Sequence, residues 1–142
     1  MKIHNVNVAF FIHETEDPSR VLEALEKCLP GIRVSDFVME VAEGHHGNRI
    51  QLYKATLTSS KAREFFHSIL NSLDKADLIF LLSTLDERMD KSRLHLRIDK
   101  QAMVADCKPR IKDGDDVVKI TVTITGDKTE ISEELSRVAQ SH

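Results

Sequence analysis

"LHLRIDKQA", residues 94–102, decides the kind of fold this chain adopts. Leu94, Leu96 and Ile98 fall on one side of an extended segment, and His95 and Arg97 on the other. Asp99-Lys100-Gln101 then breaks the alternation. Asp99 is suited to cap a short helix over 100–105, with Lys100 and Gln101 in its first turn. A strand with one apolar and one strongly polar face belongs to a sheet packed on one side and wet on the other.

The flanking segments extend this pattern. Residues 3–12 alternate, with Val6, Val8, Phe10 and Ile12 on one face, and predict a strand. Asp17-Pro18 opens a helix whose stripe is Val21, Leu22, Leu25, Cys28 and Leu29, closed by Pro30-Gly31. Strands are expected at 34–41 and 49–58, joined by a loop at 43–48. Ser59 or Ser60 should cap a helix carrying Phe65, Phe66, Ile69, Leu70 and Leu73. A second helix is expected at about 75–85, and "DERMDKS" reads as a loop. "KDGDD" at 112–116 makes a turn, and 117–124 a last strand with Lys119, Thr121 and Thr123 outward. A final helix carries Ile131, Leu135 and Val138 on one stripe.

The order is β-α-β-β-α-α-β-β-α, predicting an α+β fold: a mixed, mostly antiparallel sheet with the helices on one face. Residues 1–125 should form one domain, and 126–142 an amphipathic helix packed on it or on a partner. Arg93, His95, Arg97, Lys119 and Thr121 should project from the open face or its rim.

Net charge is −3, but its distribution is uneven. Residues 1–48 hold 4 basic and 8 acidic side chains, residues 49–112 hold 13 and 8, and residues 113–142 hold 3 and 7. The positive excess therefore falls on the block containing the opening strand, and an approaching phosphate feels that local field. Arginine and lysine at every second position of a strand lie about 7 Å apart, a spacing suited to a phosphate backbone. From composition alone, a solvated strand face with Arg97 paired to an acid is the simpler interpretation.

"GHHGN" at 44–48 is either a tight turn facing an anion or a plain hairpin turn. His45 and His46 with Glu43 make a poor metal set, because adjacent histidines diverge, so no metal or other cofactor is expected. No P-loop, G-x-S-x-G or H-E-x-x-H is present, and an enzyme is not expected. Cys28 and Cys107 suggest small core residues rather than a disulfide framework, which makes a reducing cytoplasm the default. No apolar run is long enough to span a membrane. The aromatics of a single-strand platform are missing from the outer positions, with only Tyr53 on a strand where it would serve. Backbone contact to structured or double-stranded RNA is thus favoured over a base-stacked single strand.

Six stretches occur together and in order: "FIHETED" (11–17) followed by "VLEALEKCLP" (21–30), then "EGHHGN" (43–48), "LDERMD" (85–90), "LRIDKQA" (96–102) and "DGDDVVKITVTI" (113–124). In these the chain resembles a small archaeal family described as RNA-binding proteins and predicted exosome-associated subunits. The resemblance covers roughly residues 3 to 124. It implies a mixed α+β domain like one of the RNA-binding proteins of the large ribosomal subunit. Arg49 stands where that family usually has proline, and Lys91-Ser92-Arg93 where it has an Asp-Gly-Asn-like turn. Both departures add positive charge.

The resulting expectation is a non-catalytic RNA-binding module, an accessory to an RNA-processing complex. Arg49, Arg93, Arg97 and Lys100 would face phosphate, with His45, His46 and Gln101 as polar contacts. The alternative is a protein-interaction module or homodimer with no nucleic-acid role.

Overall fold

A computed structural model describes residues 1–142. Six strands form one sheet: β1 (Lys2–His13), β2 (Phe37–Glu43), β3 (Arg49–Thr58), β4 (Met89–Asp90), β5 (Arg93–Asp99) and β6 (Val117–Thr125). Their spatial order is β2-β3-β1-β6-β5-β4, and every pairing is antiparallel. The α+β architecture is as the alternation predicts, and the two strands expected to carry the polar face, β5 and β6, are neighbours.

Six helices pack on one side: α1 (Pro18–Cys28), α2 (Ser59–Ser72), α3 (Lys75–Ser83), α4 (Leu85–Arg88), α5 (Lys100–Asp106) and α6 (Lys128–Gln140). Val6, Val8, Phe10 and Ile12 of β1 are buried beneath them, as are Leu94, Leu96 and Ile98 of β5. Tyr53 is buried there too, its ring 5.2 Å from that of Phe10 and nearly parallel to it. Ile131, Leu135 and Val138 belong to this same core, so α6 packs as part of the helical layer. Asp17 and Asp99 cap their helices, accepting from Ser19 N and Ala102 N respectively.

Several local features differ from the pattern. Residues 34–36 form a single 3-10 turn before β2, held by Asp36, whose carboxylate accepts from Arg33 N. β3 runs directly into α2, so the residue at the cap position is the still-extended Thr58 and neither serine caps the helix. The expected 75–85 helix stops at Ser83, and "DERMDKS" contains the end of α4 and the short edge strand β4. Cys28 and Cys107 are joined in a disulfide, with Cα atoms 5.1 Å apart. The expectation of two unpaired thiols is thereby corrected. The reason lies in tertiary structure: α5 packs on α1, bringing together cysteines 79 positions apart.

Candidate nucleic-acid interface

Strand register determines which side chains share the uncovered face. Lys54 of β3 pairs with Ala9 of β1, Ala9 with Lys119 of β6, and Lys119 with Arg97 of β5. The next row on the same face is Thr56, Asn7, Thr121 and His95, and the row beyond is Thr58, Asn5, Thr123 and Arg93. Adjacent strands lie about 4.8 Å apart, so Lys119 and Arg97 are close neighbours, with Lys54 two strands away. Between the cations lie short hydroxyl and amide side chains, which donate and accept hydrogen bonds without blocking approach.

None of Lys54, Arg93, Arg97 or Lys119 takes part in an ion pair. Arg97 donates one hydrogen bond to Gly114 O at 3.0 Å, leaving most of its five N–H groups uncommitted. The acids near this face lie at its margins. Glu40 is on the edge strand β2, Asp90 on the edge strand β4 lies directly opposite Arg93, and Glu87 and Asp113 line a cleft beside His95 and Arg97 at the β5 side. Lys54, Lys119 and Arg97, in one row without a carboxylate among them, create a field that attracts an extended anion.

The seven residues expected to bind RNA do not all meet here. Arg93 and Arg97 share the open face. Arg49 alternates with Ile50 and so falls with Gln51 and Tyr53 on the helix side. It lines a cleft of about 330 Å³ with Glu14 and Glu16, and its own backbone N–H donates to Glu14. Those acids make the cleft a poor phosphate site. His45 and His46 are exposed in the β2–β3 turn, three to four strand spacings, or about 14–19 Å, across the sheet from β5. Gln101 is tied to Asp116, donating at 2.8 Å.

Lys100 requires the largest correction. Its side chain is 1% exposed, and its Nζ lies 2.7 Å from each of Phe11 O, Glu16 Oε1 and Asp116 Oδ1. It cannot face a phosphate, because all three ammonium donors are already used inside the protein. The cause is a gap in the sheet. β1 and β6 pair as far as Ala9 and Lys119 and then separate, which leaves Phe11 C=O without a strand partner. Lys100 fills the gap and crosslinks the loop after β1 to the turn before β6. Burial pushes the Asp116 carboxyl up, but hydrogen bonds from Lys100 and Gln101, with the charges of Lys100 and His13, outweigh it. Its pKa is therefore lowered. His13, Glu16 and Asp116 also present ligand atoms close enough together for a cation, and the Lys100 ammonium already lies between the two carboxylates.

Lys54, Lys119 and Phe11 stand on the open face outside the seven-residue site expected from sequence, although alternation does direct Lys119 outward. Lys54 alternates against Tyr53, Ala55 and Leu57, so its outward direction was legible, whereas its place beside β1 and β6 depends on strand order. Phe11 lies at an outward position of β1 and is 39% exposed, although its neighbour Phe10 is buried.

A family model described as RNA binding matches residues 5–124. RNA-binding protein PAB1135 of Pyrococcus abyssi is 34% identical over 130 residues, covering 87% of this chain and 83% of that protein. The uncharacterized protein MJ0213 of Methanocaldococcus jannaschii is 28% identical over 123 residues, covering 82% of this chain and 81% of that one. Among solved structures, protein SSO0741 of Sulfolobus solfataricus superposes with a TM-score of 0.80 at 31% identity, covering 96% of this chain and 98% of that one.

Proposed function

From the premise that this chain belongs to the RNA-binding family, we propose that it binds RNA by the phosphate backbone across the open face of the sheet. Lys54, Lys119, Arg97 and Arg93 make the charged contacts. Asn7, Thr121 and His95 supply further hydrogen bonds to sugar and phosphate, with Asn7 Oδ1 held by the Thr56 hydroxyl, which donates to it at 2.7 Å. The observation that carries this is the row Lys54-Ala9-Lys119-Arg97: three cations from three strands on one uncovered face, none neutralised by an ion pair.

The helical layer is a weaker candidate. α6 and the loop before it carry Asp127, Glu130, Glu133 and Glu134. An acidic surface repels a polyanion, so approach from the sheet side is favoured. A role as an accessory to RNA processing belongs to the same proposal and is tested by whether RNA-processing subunits co-purify with the tagged chain.

The binding test is fluorescence anisotropy with a labelled RNA over a range of salt concentrations. Lys119→Gln should reduce the slope of log affinity against log salt by roughly 0.7–0.9, one phosphate contact's share. Lys75→Gln on α3, exposed on the helix side, should leave the slope unchanged. Equal effects of the two substitutions would place the RNA elsewhere.

A further inference from the structure

We propose that Phe11 is a stacking platform for an unpaired base, flanked by lysines that hold the adjoining phosphates. The RNA recognised would then be one offering at least one unstacked nucleotide. This rests on the open sheet face being the RNA surface.

Phe11 lies on β1, third in the sheet order β2-β3-β1-β6-β5-β4, with β3 paired on one side of it and the gap where β6 diverges on the other. An exposed phenyl ring in that position forgoes the burial Phe10 obtains one residue earlier. Two of its same-face diagonal neighbours are lysines, and a third, on β3, is Ile50. Leu52 is its partner on β3, and Lys54 is two positions along. On the other side Ala9 pairs with Lys119, again two positions from Phe11. Such diagonals span about 7–8 Å, within reach of lysine side chains on either side of the ring. A base stacked on the ring would place its backbone between two ammonium groups. Val38 and Leu52 extend the apolar surface toward β2, and Glu40 limits the phosphate path at that margin.

The backbone under the ring is fixed in an unusual way. Phe11 C=O has no strand partner on the β6 side and accepts instead from buried Lys100 at 2.7 Å. Lys100 is thus a positioning residue: it sets the platform without touching RNA. Stacking is tolerant of sequence because every base has a π face, so selection would be for unpaired nucleotides and not for a particular base.

The experiment uses two labelled RNAs of identical sequence, one single-stranded and one in a blunt duplex, titrated against the full chain. Phe11→Ala should weaken single-strand binding about 5- to 100-fold, with duplex affinity and the salt slope unchanged. Thermal melting checks that the variant is folded. The chain contains no tryptophan, so Phe11→Trp supplies a single reporter. It should preserve single-strand affinity, and its fluorescence should be quenched on binding. Wild-type single-strand affinity in Phe11→Ala, alongside a reduced salt slope in Lys119→Gln, would reject the platform and leave the RNA face intact. Absence of salt-sensitive binding to either RNA by the wild-type chain would overturn both.

Discussion

Replacing Lys100 by methionine removes a buried ammonium and leaves two carboxylates and a backbone carbonyl facing one another. Deleting one partner of a buried ion pair costs about 3–5 kcal/mol. Here the partners are partly wet: Glu16 is 17% exposed and Asp116 40%. Water can therefore recover part of the loss, and about 2–4 kcal/mol is expected. A chain of 142 residues has an unfolding entropy near 0.3 kcal/mol per kelvin, so Tm should fall by about 7–13 °C. Thermal unfolding followed by circular dichroism reads this directly. A cycle with Glu16→Gln should show a coupling of about 0.5–3 kcal/mol, because the two groups touch. In RNA binding measured well below Tm, the salt slope of the variant should match wild type, since the ammonium never meets a phosphate. An unchanged Tm together with a slope reduced by one contact would refute the structural role and restore Lys100 as a ligand.

Other outcomes follow from the same structure. Asp116 titrates below its unfolded value of about 3.9. Its stabilising contribution is thus present above about pH 4 and is lost as pH falls through the depressed folded value. The Tm gap between wild type and Asp116→Asn should be full at pH 6 and close in stronger acid; a gap that widens there contradicts the sign. Reduction of the Cys28–Cys107 bond releases a loop whose ends are 79 positions apart, worth roughly 4 kcal/mol in the chain-entropy model. Dithiothreitol should lower Tm by about 13 °C in wild type and leave a Cys28→Ser/Cys107→Ser variant unmoved. Leu135→Ala on α6 should cost about 2–5 kcal/mol in denaturant unfolding, because its side chain is 1% exposed in the shared core.

The face of each strand was legible where alternation was strict. β5 and β6 show it: apolar Leu94, Leu96 and Ile98, and Val118, Ile120, Val122 and Ile124, against polar neighbours, all as found. Their pairing placed Arg97 beside Lys119, which no local pattern specifies. β1 was legible on its buried side only. Phe10 and Phe11 are adjacent aromatics, and hydrophobicity by itself gives no reason to expect the second one outside. Lys100 departs from its expected solvent-facing place for a related reason. The first turn of a capped helix is usually solvated, and the gap between β1 and β6 that draws the side chain inward exists only in the assembled sheet. The cysteines illustrate the same limit, because helix packing and not spacing brings them into contact. Arg49 differs: its parity with Gln51 and Tyr53 was visible, but the side of the sheet on which that parity falls was not assigned.

The most direct test of the RNA surface is to follow backbone amide shifts by NMR while titrating RNA into the labelled chain. A sheet-face complex predicts the largest perturbations at residues 5–11, 54–56, 93–97 and 119–123, with α2, α3 and α6 nearly silent. Perturbations concentrated in those helices, with the four strand segments unmoved, would contradict it.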